Sequence, residues 1–130
     1  KKMSKAVYDT RFFVEHFYNA DDGVKRRIAE EIRKTKNRYI SSIVIHEIYV
    51  LSLKKEGRVT AKVRREFIQK AFRVVDVDSE LAASSAELRH KYRISLADSL
   101  IASTCRLIGA PCVTDDAHLA SVKDIKTRWL

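Results

Sequence analysis

The chain has 130 residues, 45% of them hydrophobic, and its 26 basic and 17 acidic side chains leave a formal charge of +9. That length suits one domain with a real core, and three Gly with one Pro argue against a disordered or sandwich-type chain and for a helix-rich one. No apolar run approaches the ~18 residues of a membrane span and no secretory signal opens the chain, so a cytoplasmic protein with no membrane partner is expected.

Ala6 to Tyr8 read as a short buried strand with Asp9 at its carboxyl end. Thr10 caps a helix carrying Phe12, Phe13, Val14, His16, Phe17 and Tyr18. The rings of Phe12, Phe13, Phe17 and Tyr18 exceed what one stripe of a short helix buries, so some are expected to face a twofold partner. After the Asn19–Gly23 turn, Val24 to Thr35 form an amphipathic helix with Val24, Ile28 and Ile32 inside. Tyr39 to Ser41 are a second strand, and Ser42 caps a helix that runs to about Glu56. Gly57 stops it. Thr60 caps the next helix, Ala61 to Ala71, along an apolar Val63–Phe67 edge.

Phe72 to Val77 are a third strand, and Asp78 or Ser79 caps a helix through Tyr92 with Ala and Ser on one side for close packing. Ser95 opens another helix, and Pro111 to Thr114 form a buried strand that ends in Asp115-Asp116. His118 to Val122 make a short turn, and Ile125 to Trp129 an edge strand. Strands alternating with helices predict an α/β fold over a single domain, 1–130: three α/β/α layers around a small, mostly parallel sheet. There are no repeats, linkers, low-complexity tracts or glycine-rich phosphate loops. Cys105 and Cys112 have no partner at zinc spacing and read as reduced core thiols.

The acids are the informative residues. On the helix surface Asp98 is surrounded by Ile94, Ile101, Ala102 and Cys105, a face that ought to be buried. An unpaired buried charge is costly, so this carboxylate is neutral, paired or bound to a cation. A capping box with Ser95 is the plainer reading. Glu47 repeats the oddity, flanked by Ile43, Val44, Val50 and Leu51 far from either helix end. Capping cannot explain it, although an ion pair with a distant Arg could. In a parallel sheet ligands sit beyond the carboxyl ends of the strands. Asp9 and Asp115-Asp116 end two strands there and Glu47 follows a third, so four acids from distant parts of the chain can meet.

Bunched carboxylates call for a hard divalent cation, Mg²⁺ or Mn²⁺, and such a site suits phosphate-ester hydrolysis. With the four acids gathered in one place, the rest of the chain is more basic still. That suits a polyanion, and equally a heavily charged, solvated surface. Lys25-Arg26-Arg27 and Lys62 to Arg65 are candidate RNA contacts or plain solvated faces. His16 and His46 read as structural.

The set Val7-Tyr8-Asp9-Thr10, Ser41-Ser42-x-x-x-x-Glu47, Ser95-Leu96-Ala97-Asp98-x-Leu100-Ile101-Ala102 and Val113-Thr114-x-Asp116 resembles the PIN-domain nucleases. It resembles more closely the small VapC-like toxin ribonucleases. Each motif is weak alone, but their order and spacing cover nearly the whole chain. The resemblance implies that the catalytic, metal-holding acids are Asp9, Glu47, Asp98 and Asp116, with Thr114 orienting a water or ligand. Asp115 competes for the fourth place, and the Thr-x-Asp spacing favours Asp116.

It further implies Mg²⁺- or Mn²⁺-dependent endonucleolytic cleavage of an RNA substrate, a homodimer, and inhibition by a small antitoxin. PIN-like domains also serve in RNA processing without being toxins. Arg11 is a departure, since relatives often carry Ser or Asn there. Two other classes stay open. One is a phosphate-accepting signalling domain with Asp76 as acceptor and Asp9 on Mg²⁺, which leaves Glu47 and Asp98 unexplained. The other is a non-catalytic RNA- or protein-binding module.

Overall fold

The computed structural model describes residues 4–130, and Lys1-Lys2-Met3 lie outside the described residues. The chain runs β1 (Lys5–Tyr8), α1 (Thr10–Tyr18), α2 (Asp22–Lys34), β2 (Asn37–Ser41), α3 (Ser42–Lys55) and α4 (Arg58–Ala71). It continues with β3 (Arg73–Val75), α5 (Ser79–Tyr92), α6 (Leu96–Ile108), β4 (Cys112–Val113), α7 (Ala117–Ala120) and β5 (Thr127–Arg128). The five strands form one sheet in the order β3-β2-β1-β4-β5, and every pairing is parallel. Helices flank this sheet in an α/β/α sandwich, as the alternating pattern predicts.

β1 lies at the centre, and Ala6, Val7 and Tyr8 are fully buried, which explains a short apolar run without alternation. The chain moves outward from β1 through β2 to β3, then returns to the other side of β1 as β4. The order reverses between β1 and β4. In a parallel sheet the helices leaving two such strands diverge there and open a crevice at the carboxyl ends. Asp9 follows β1 and Thr114 follows β4, so both stand at that crevice.

The aromatic residues of α1 divide into two pairs. Phe12 and Phe13 are fully buried in this chain's own core, where with Tyr8 and Phe72 they form edge-packed ring pairs 4.7–5.3 Å apart. Phe17 stacks on Phe13, and the Arg64 guanidinium covers both Phe17 and Tyr18. Phe12 and Phe13 are therefore closed to a twofold partner, whereas Phe17 and Tyr18 stay partly exposed.

Several helix starts also shift. The hydroxyl of Thr10 bonds Glu47 rather than capping α1, whose N-cap is Asp9. Ser41, not Ser42, caps α3. α4 begins at Arg58 instead of after Thr60, because Gly57 at φ +100° reverses the chain and itself precedes the first turn. Val63 is 60% exposed, so of the expected Val63–Phe67 edge only Phe67 faces inward, beside Ala61, Arg64 and Ile68. β3 stops at Val75, three residues long at the sheet edge, leaving Asp76 and Val77 outside it.

Candidate metal centre

Asp9 ends the central strand and is 3% exposed. Its Oδ2 accepts the Thr114 hydroxyl at 2.7 Å, and the same hydroxyl oxygen accepts the Asp116 N–H at 3.0 Å. Thr114, itself buried, thus links the ends of β1 and β4 and sets Asp116 beside Asp9. Asp116 in turn caps α7, its Oδ1 accepting the His118 N–H at 2.6 Å.

Asp98 and Glu47 approach from helices. Ser95 caps α6 by accepting the Asp98 N–H at 3.1 Å, so the hydroxyl half of the capping reading is present. Ile94, Ile101, Ala102 and Cys105 are buried around Asp98, as the periodicity predicts, and Asp98 itself is half-buried. Its carboxylate faces Asp116: one ligand atom each from Asp98, Asp116 and His118 lies within 4.8 Å of the other two. Glu47, half-buried on α3, accepts the Thr10 hydroxyl through Oε1 at 2.5 Å. No distant Arg or Lys pairs with it among the described residues.

The electrostatics of these acids are unfavourable as they stand. Burial pushes the Asp9 carboxyl up to about 6, against the opposing Thr114 hydroxyl and Thr10 N–H, and the charges of Asp98 and Asp116 add to the rise. Asp98 is raised too, by burial first and then by the charge of Asp116, with Glu47 contributing. Among the described residues no Lys or Arg forms an ion pair with Asp9, Glu47, Asp98 or Asp116; the one ionisable partner is the His118 ring at 3.4 Å from Asp116. Oxygen donors gathered without positive charge fit a hard divalent cation.

Asp115 behaves differently. Arg11 clamps it with two hydrogen bonds of 2.9 and 3.2 Å, and that contact holds its carboxyl below the usual range. Arg11, which departs from the resemblance, thereby takes Asp115 out of the carboxylate group and leaves Asp116 to face Asp98. Asp76 stands beyond edge strand β3, two strands from β1, so it cannot share a cation with Asp9 as the phosphate-acceptor reading requires. His16 stacks on Phe67 and burial lowers its pKa. His46 is exposed and lines an open groove of about 400 Å³ beside Glu47, with Thr10, Val50, Leu51 and Lys54.

Of the basic candidates, Lys25, Arg26, Arg27, Lys62 and Arg65 are exposed, whereas Arg64 is held by Glu56, Ser52 and Tyr18. Sequence reasoning passed over His118 and Glu31. Position signals the first, two residues after Asp116 in a single turn that Asp116 caps. The second lies on the Val24–Ile28–Ile32 side of α2, but Arg27, Lys34 and Thr35 at its i−4, i+3 and i+4 positions hide it among polar neighbours, unlike Glu47.

A family model described as PIN domain matches residues 6–125. Comparison with curated proteins finds no match. Among solved structures, VapBC2 from Rickettsia felis bound to a DNA fragment from its promoter is 17% identical, with a TM-score of 0.79 over 97% of this chain and 98% of that one. VapC20 of Mycobacterium tuberculosis, described as a Sarcin-Ricin loop cleaving toxin, is 23% identical at TM-score 0.72, covering 93% and 98%. FitAcB from Neisseria gonorrhoeae is 19% identical at 0.75, covering 94% and 95%. At these identities the structural likeness establishes the fold.

Proposed function

The chain belongs to the PIN-domain family, and from that premise we propose that it is a metal-dependent endoribonuclease acting as one domain over residues 1–130. What supports this reading is that Asp98 and Asp116 offer ligand atoms within 4.8 Å of each other, that their charges reach Asp9 and that of Glu47 reaches Asp98, while no Lys or Arg pairs with any of the four among the described residues. Asp9, Glu47, Asp98 and Asp116 come from four separate elements, and each of Asp9 and Asp98 is raised in pKa by its neighbours' charges as well as by burial. A chain that needed these acids only for folding would have supplied an Arg or Lys, as it does for Asp115.

In this reading Asp9, Asp98, Asp116 and Glu47 hold Mg²⁺ or Mn²⁺. When bound, that ion supplies the positive charge which a phosphodiester oxygen and an attacking water both need. The protein's part is preorganisation. Thr114 fixes Asp9 and the Asp116 backbone at once, and Thr10 holds Glu47 in one rotamer. Ser95 anchors the turn that presents Asp98. Exposed Lys25, Arg26, Arg27, Lys62 and Arg65 attract the RNA backbone.

A small antitoxin partner is part of the proposal, supported by the toxin–antitoxin complexes among the fold's neighbours. So is a homodimer, for which the exposed Val59 and Val63 of α4 are available beside the partly exposed Phe17 and Tyr18 of α1. A cytoplasmic location is proposed as well; no helix among the described residues is long and apolar enough to cross a membrane. A PIN nuclease of RNA processing is the alternative, and a short neighbouring reading frame encoding a DNA-binding protein decides for the toxin.

The test of activity is incubation with mixed RNA in Mg²⁺, in Mn²⁺ and in chelator. Cleavage with either ion and none in chelator is expected. Intact RNA in all three, or cleavage that chelator leaves unchanged, overturns the reading.

A further inference from the structure

One nitrogen donor stands beside the carboxylates, and an acid-only site has no use for it. His118 belongs to the turn that Asp116 caps, and its ring folds back over the capping carboxylate, with Nδ1 3.4 Å from Asp116 Oδ1. Ligand atoms of Asp98, Asp116 and His118 all fall within 4.8 Å of one another. Two donors on one small divalent ion, each about 2.1 Å from it, stand at most about 4.2 Å apart. A small rotamer change closes the difference, and His118 is free to make it. Its side chain is 78% exposed, and among the described residues the ring is ion-paired with no group other than Asp116.

We propose that His118 is a ligand of the metal centre, adding one imidazole nitrogen to the carboxylate oxygens and turning the site from Mg²⁺ towards Mn²⁺ and its first-row neighbours. The proposal rests on the metal-site reading above and goes beyond it in naming a ligand and a preference. Mg²⁺ takes hard oxygen donors and gives up its waters reluctantly. Imidazole nitrogen suits the first-row transition ions, whose nitrogen affinity rises from Mn²⁺ onwards. A carboxylate set therefore separates Mg²⁺ from Mn²⁺ weakly, and one added nitrogen separates them more.

The test loads the wild-type chain with Mn²⁺ alone and records pulsed EPR, alongside separate calorimetric titrations with Mn²⁺ and Mg²⁺. Modulation from a directly bound imidazole nitrogen is expected in the wild type and absent from His118→Ala. Mn²⁺ affinity should fall about tenfold or more in that variant, with a distinctly smaller loss for Mg²⁺. His118→Gln keeps a polar side chain without the ring and should match His118→Ala. Because the ring is exposed, both variants should melt with the wild type in chelator.

Mn²⁺ bound without nitrogen modulation, or equal losses for the two ions, overturns the proposal while Asp98→Asn still abolishing binding keeps the metal site itself. A wild type that binds neither ion overturns both.

Discussion

Glu31 and Asp9 are both buried carboxylates, 2% and 3% exposed, and the chain treats them in opposite ways. Glu31 receives the Tyr8 hydroxyl at 2.5 Å, the Thr35 hydroxyl at 2.7 Å, and two Arg128 bonds at 2.7 and 2.9 Å. Burial alone would raise its pKa, but these partners outweigh it and bring the carboxyl down to about 2. Asp9, the next residue after Tyr8, receives one side-chain hydroxyl and faces other acids, and stands at about 6. Glu31 is completed from within, tying β5 to α2. Asp9 and its neighbours have no Lys or Arg paired with them among the described residues, which is what the proposed cation site requires.

The difference is sharpened first at the acid group. Glu47→Gln keeps the shape and the Thr10 contact, so the fold should survive while metal-dependent RNA cleavage falls about a hundred- to a thousandfold, measured at equal protein concentration. Arg128→Met is the counterpart. It leaves the Glu31 charge buried without its bidentate partner and should cost about 3 kcal/mol in urea unfolding. Cleavage by the fraction still folded should be unchanged. Equal damage to activity and stability in both variants would erase the distinction.

The same contrast explains what could be read from the sequence. The order of elements was legible because each strand is a short apolar run and each helix has a 3.6-residue stripe, and because Ser95, Asp78 and Gly57 punctuate them. Asp98 and Glu47 were legible as acids on apolar stripes. Glu31 lacks that signature, because Arg27, Lys34 and Thr35 stand with Ile28 at its i−4, i+3, i+4 and i−3 positions, and Arg128, which completes its pairing, is 97 residues away. An acid ringed by apolar neighbours therefore marks a carboxylate without a local cation, and only the fold says where a buried acid such as Glu31 finds its partner. Tertiary packing likewise hid the fate of Phe12 and Phe13, which a nine-residue helix could not bury unless Tyr8 and Phe72 met them.

pH should pull the two regions in opposite directions when chelator is present. Glu31 has its pKa lowered from 4.5 to about 2, so its stabilisation is complete above about 4.5 and is lost as pH falls towards 2. Asp9 has its pKa raised from 3.8 to about 6, so its contribution is complete below about 3.8 and is lost as pH rises through 6. That loss is of order 2–3 kcal/mol. Asp9→Asn should flatten the decline between about pH 4 and pH 7, and denaturant midpoints across that range give the profile. A decline of unchanged slope would mean that Asp9 is already compensated.

Thermal melting of wild type and Asp98→Asn, each in chelator and each in saturating Mn²⁺, tests the central claim most directly. Asp98→Asn removes one repelling charge and should melt at or above the wild type in chelator. Mn²⁺ should raise the wild-type midpoint, since it binds only the folded state, and should leave the variant nearly unmoved. A variant that melts several degrees below the wild type in chelator would make Asp98 a structural partner like Glu31, and the account of the acid group as a cation site would be wrong.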